Sequence, residues 1–213
     1  MSQAFKVVRG LLIALVIVCF AVLVHHVNTL GHVSLLGALL ALAPLLLIAF
    51  VFAMNLDSRL LGVSFMLIVL IASWWALPMI KQHTGLIFWL QDMSLLLMLL
   101  ITFARTLLPG RKPLCVGFAE IMNGGPLPAD HERYTYHVTI AWVIFFGLMI
   151  VTSTLLFFLA PLATWSFFVN FLTLPLVALM FIAEYLVRRS VLTDLPTGNV
   201  LDAVRTYIDS TRA

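Results

Sequence analysis

Predominantly apolar residues fill six stretches of the chain, near 7–24, 33–54, 60–80, 85–104, 138–160 and 162–187. Each is close to the 20 or so residues that an α-helix needs to cross a bilayer core. The runs are continuous, so alternating β-barrel strands of about ten residues do not account for them. The pattern predicts an all-α polytopic membrane protein, a bundle of six transmembrane helices over residues 1–189 with a tail over 190–213. The last run is long enough to tilt or to pass the interface. Lys6 and Arg9 precede the first run, but no small-x-small cleavage site follows it, and Val18 stands before Cys19 where a lipoprotein signal wants a small residue. The first run therefore reads as an uncleaved helix.

The polar connections are uneven. Those at 25–32, 55–59, 81–84 and Pro161 are short. The connection at 106–137 is about thirty residues long, and loops of that length without a role are uncommon. Within it, Pro113 starts a short helix to Met122 whose Val116, Phe118 and Ile121 are expected on lipid. Asn123, Gly124 and Gly125 stop that helix, and Asp130 and Glu132 suit the start of the fifth span. In the tail, Asn199 as N-cap and Asp202 three residues on, with Val200, Leu201, Val204 and Ile208 on one side, predict a second short helix. Gly37 with Ala41, and Ala49 with Ala53, are small residues four apart, a spacing that lets helices approach closely.

Composition narrows the class. Hydrophobic residues make up 63% of the chain and charged residues 10%, against roughly 25% charged in a soluble domain. Mean hydropathy is +1.13. A fold of this size cannot hide that much apolar surface from water, which excludes a soluble enzyme, a disordered chain and a disulfide scaffold. The two cysteines, Cys19 and Cys115, fall at different depths and form no zinc or redox spacing. Eleven of the twelve basic residues fall on one set of connections, and Lys81 alone on the other. The charge of +3 thus reads as an orientation signal and an affinity for anionic lipid rather than for nucleic acid. It predicts that both termini lie in the cytoplasm. Trp74, Trp75, Trp89 and Trp165 are expected in an outer aromatic belt, and Trp142, Tyr134, Tyr136 and Tyr185 in an inner one.

Few residues carry recognisable chemistry. Asp92 lies about eight residues into the fourth run, about 12 Å along it. A carboxylate there needs a partner, water or a proton. It reads as a proton or cation site, as a contact for a substrate headgroup, or as a structural hydrogen bond. Gln91, Ser94, Met98, Thr102 and Arg105 share one helical face with each other, as do Asn170, Thr173, Val177, Glu184 and Arg188. These faces either line a polar path, with Asp92, Gln91, Ser94, Asn170, Thr173 and Glu184 as its residues, or pack as interhelical hydrogen bonds. Glu184 and Arg188, four apart, suit a local ion pair. His25, His26, His32 and His83 gather near the outer side but match no metal or haem spacing, so neither a metal nor a cofactor is expected. In the long loop, His131 beside Glu132 admits an acid–base reading, while Arg105, Arg111, Lys112 and Arg133 suit docking of a partner or of anionic lipid. No glycine-rich nucleotide loop is present.

One resemblance adds a setting. The chain has Arg-Thr-Leu-Leu-Pro-Gly-Arg at 105–111, Pro-Leu at 113–114, Gly-Gly-Pro-Leu-Pro at 124–128, Tyr134 with Thr135, Val138 with Thr139, and Ala141 with Trp142. It also has Phe-Val-Asn at 168–170, Pro-Leu-Val-Ala-Leu-Met-Phe at 175–181, and Glu184 with Tyr185. Over roughly residues 100–190 it resembles a bacterial inner-membrane family of unassigned activity. That family is associated with gene clusters for aryl-polyene or xanthomonadin-like lipids, whose enzymes resemble type II fatty-acid synthesis. Where the family carries a further basic residue after the tyrosine–threonine pair, this chain has Tyr136. In that setting the leading expectation is a non-enzymatic scaffold in contact with membrane lipids, docking cytosolic acyl-carrier enzymes or membrane partner subunits, with Arg111, Lys112 and Arg133 meeting an acidic partner. Two other readings stay open: a small transporter or lipid-flipping subunit using Asp92 and the polar faces, and a membrane enzyme acting on an acyl lipid through His131 and Glu132.

Overall fold

The computed structural model describes residues 3–30 and 34–192. They form seven α-helices and, among the described residues, no strand: α1 (Gln3–Leu30), α2 (Leu35–Met54), α3 (Arg59–Gln82), α4 (Thr84–Ala104), α5 (Leu114–Asn123), α6 (Ala129–Leu159) and α7 (Leu162–Val191). All but α5 are long and apolar enough to cross a membrane. Their apolar side chains face outward in quantity, with Trp74, Trp75 and Leu159 at least three-quarters exposed. Lipid is the solvent such surfaces require, and the protein is a multi-pass membrane protein. The tail helix expected around Asn199 to Ile208, and His32, lie outside the described residues.

Most boundaries follow from local chemistry. The Ser34 hydroxyl accepts from the Leu36 N–H at 3.2 Å and opens α2. Asn55 ends α2, its amide donating back to the Val51 carbonyl at 2.7 Å. Gly124 ends α5 in the left-handed region, at φ 70°, with the Gly125 N–H returning to the Glu120 carbonyl at 3.2 Å.

Two boundaries differ from expectation. The first helix runs on to Leu30, so His25, His26 and Asn28 are helical rather than part of an outer loop. No helix breaker precedes Gly31, and the Thr29 hydroxyl is satisfied within the helix by the His26 carbonyl at 2.7 Å. At the other end of the chain, α6 starts at Ala129, nine residues before the apolar run, because Asp130 and Glu132 favour its first turn.

Two compact units make up the chain. The first contains α1, α2, α3, the start of α4, the end of α6 and the start of α7. Its core is Val24, Ala41, Phe88 and Trp165, flanked by Phe20, Trp89, Leu156 and Phe157. Gly37 lets α2 press against α1: a Cβ there would stand 2.7 Å from Val27 Cγ1. Gly62 does the same for the α2–α3 hairpin, where a Cβ would meet the Ala53 carbonyl oxygen at 2.5 Å. The second unit holds the rest of α4, α5, most of α6 and the end of α7. There Trp142 is buried among rings, 4.7 Å from Phe181, 5.5 Å from Phe146 and 5.9 Å from Phe103.

The aromatic belts are thus corrected. Trp165 and Trp142 are 1% and 5% exposed and serve as core, and Trp89 stacks on Phe157 at 5.3 Å. A large ring at a helix seam gains more from dispersion contacts on all sides than from a headgroup contact on one.

Candidate functional site

Two places in the structure concentrate polar groups. The first is a seam between α1 and the start of α7. Ser166, fully buried, accepts from Asn28 Nδ2 at 3.1 Å and from Asn170 Nδ2 at 3.2 Å, and lies 3.3 Å from His25 Nδ1. A hydroxyl offers one donor and two acceptor sites. The two amides fill the acceptors, which leaves the hydroxyl proton as the group that faces His25 Nδ1. Phe167 and Phe171 close on the imidazole edgewise, with ring centroids 6.1 and 5.3 Å away. Here α7 widens into a π-helical turn, Phe168–Leu172. Such turns are frequent at functional sites. In this one the Thr173 hydroxyl reaches back five residues to the Phe168 carbonyl at 3.4 Å.

Sequence reasoning did not find this seam, because His25 and Asn28 were read as loop. The available signal was spacing: His25 with Asn28 three apart, and Ser166 with Asn170 four apart, each pair on one helical face. The seam resembles a Ser–His pair only in composition. Ser166 is enclosed and no substrate carbonyl can reach it. Its role is to tie α1 to α7 where lipid offers no alternative partner.

The residues expected to line a polar path are held by individual contacts. Gln91 Nε2 donates to the Ala41 carbonyl at 2.8 Å. That carbonyl belongs to α2, so the contact ties α4 to α2. Asp92 is half-buried and, like the exposed Ser94, is engaged in an interaction. Asn170 and Thr173 sit at the π-turn in the first unit, whereas Glu184 belongs to the second. The π-turn uses i→i+5 bonding, so the regular period that placed all three on one face slips there. Glu184 does pair with Arg188, at 3.6 Å, and its backbone carbonyl accepts from the Tyr134 hydroxyl at 3.0 Å.

The second place is the long loop. The Thr106 hydroxyl accepts from the Leu114 N–H at 3.0 Å, satisfying one of the free donors at the start of α5. Val116 is 1% exposed, a correction to its expected place on lipid. The cause is that α5 packs on α6, where the Cys115 N–H meets the buried Thr139 hydroxyl at 3.3 Å. Phe118 and Ile121 remain exposed, as expected. Leu107, Arg111, Val116, Glu132, Arg133 and Tyr136 are among the residues that line a groove of about 490 Å³. Lys112, just before α5, is paired with Glu120 of that helix at 2.5 Å. Arg105 is exposed on a 3-10 turn, Arg105–Leu107.

Burial against α6 pushes the Cys115 thiol up from its ordinary range, and the Glu184 carboxylate adds to the rise against the opposing hydrogen bond with Thr139. The neutral thiol is favoured, so little reactive thiolate exists near neutral pH. In a Cys19→Ser background, iodoacetamide is expected to alkylate Cys115 roughly tenfold or more slowly than a free thiol, with a rate still climbing above about pH 8.5. A rate that levels off at the ordinary thiol pKa would contradict this placement.

No family model matches the chain, and no curated protein or solved structure is significantly similar to it.

Proposed function

We propose that this is a non-enzymatic accessory protein of the bacterial inner membrane that docks acidic acyl-carrier enzymes of lipid or aryl-polyene assembly. In this reading both termini and the long loop face the cytoplasm, in line with the one-sided distribution of basic residues. The observation that carries the proposal is the loop groove. Arg111 and Arg133, far apart in sequence, line one concave surface together with Tyr136 and apolar Leu107 and Val116. Two guanidinium groups on a partly apolar floor suit an acidic protein surface, which charge attraction steers into a transient encounter. The motifs that carry the family resemblance fall largely in and around this loop. The transport reading has no comparable convergence, since Gln91, Asn170 and Glu184 are each spent on packing contacts.

The test is binding of purified acyl-carrier protein to the full chain in nanodiscs. The double variant Arg111→Glu, Arg133→Glu is expected to weaken binding at least about tenfold, and the unaltered complex to weaken as salt rises. Lys112→Glu should matter less, because Glu120 already offsets that charge. Undiminished binding by the double variant removes the groove from the reading.

A further inference from the structure

A second groove, of about 360 Å³, runs between α2 and α3 within the first unit. Its size falls within the range of small-molecule sites, roughly 300–1,000 Å³. Phe50 and Met54 form one wall, and Met66 and Leu70 the other. Gly62 forms the floor, where the absence of a side chain lets α3 rest on the Ala53 carbonyl. On α3 the lining positions 59, 62, 66 and 70 step by three or four and share one face. The groove therefore runs along the helix axis for about 16 Å. An acyl chain in a bilayer has the same direction. Arg59 is the one ionisable residue in the lining, at the end of the groove next to the α2–α3 turn. It is exposed and makes no ion pair with a described residue.

We propose that this groove binds an anionic phospholipid, its acyl chain along Met66 and Leu70 and its phosphate on Arg59. The guanidinium fork matches a phosphate with two parallel hydrogen bonds. Two methionines give walls that adapt to a flexible chain. The net negative charge of the lipid is what Arg59 selects, because a zwitterionic headgroup brings its own cation to the same place. The site is independent of the loop groove and of any carrier enzyme.

Photo-crosslinking in nanodiscs tests it, with diazirine-tailed phosphatidylglycerol compared with the matching phosphatidylcholine. Adducts of the anionic lipid should concentrate in residues 54–70, and exceed those of the zwitterionic lipid there by about fivefold, the effect of one basic residue near an anionic surface. Arg59→Gln should erase that preference, lowering labelling by the anionic lipid to the level of the zwitterionic one while leaving the latter unchanged. Met66→Trp fills the groove and should remove labelling by both lipids. Equal labelling by the two lipids in the unaltered protein, or a preference that survives Arg59→Gln, overturns the proposal. Arg59→Gln changes an exposed residue, so it decides the matter even if Met66→Trp does not fold.

Discussion

Trp165→Ala is expected to destabilise the protein by about 3 kcal/mol, the low end of the range for removing a large aromatic side chain from a core. Trp165 is 1% exposed and anchors the core of the first unit, packing edge-on to Phe157 at 5.3 Å beside Val24, Ala41 and Phe88. In water, part of such a loss is the transfer of apolar atoms out of solvent. In a bilayer that part is small, because lipid tails are as apolar as the core. What remains is the lost dispersion and the cavity left behind. Trp165→Phe should recover more than half of the loss. Equilibrium unfolding in a detergent mixture reads both values, and a loss below about 1 kcal/mol for the alanine variant would mean that the seam repacks.

Ser166→Ala is expected to destabilise by roughly 1–2 kcal/mol, above the average of about 0.6 for one hydrogen bond between membrane helices. The reason is sharing. The Asn28 amide, the second Asn170 contact and the His25 ring all depend on one buried hydroxyl. Asn170 keeps the Ser166 backbone carbonyl at 2.8 Å, but Asn28, 5% exposed, loses its acceptor. An unsatisfied amide there finds no water. A double-mutant cycle with Asn28→Ala isolates the shared part, and a coupling of about 1 kcal/mol is expected. Simple additivity of the two losses would show that the seam is not a network.

The six spans were legible because each apolar run is as long as the bilayer is thick, and the end of α5 was legible because Asn123 with two glycines before Pro126 favours a left-handed stop. Three features were not. Asn28 looks like a loop residue, since polar side chains flank most membrane helices, and only its partner Ser166, 138 positions away, explains its burial. Trp142 and Trp165 look like interfacial rings, because one sequence cannot show which face of a helix meets another. The π-turn at Phe168–Leu172 leaves no mark in a periodicity computed at 3.6 residues per turn, so the stripe from Asn170 to Glu184 was drawn straight through it. In the loop, Arg111 and Arg133 come to line one groove, while Lys112 pairs with Glu120, a contact that charge counting along the sequence does not reveal.

At 31 residues, α6 is about 46 Å long, while the oily layer it crosses is only about 30 Å deep. Leaning over takes up part of the surplus. The remainder must emerge at the end bearing Asp130, Glu132 and Arg133, since drawing those charges into oil is prohibitive. The helix is therefore a mast as well as a span. On the docking reading proposed above, it would lift one wall of the arginine-lined hollow clear of the lipid, where a partner would be met in water.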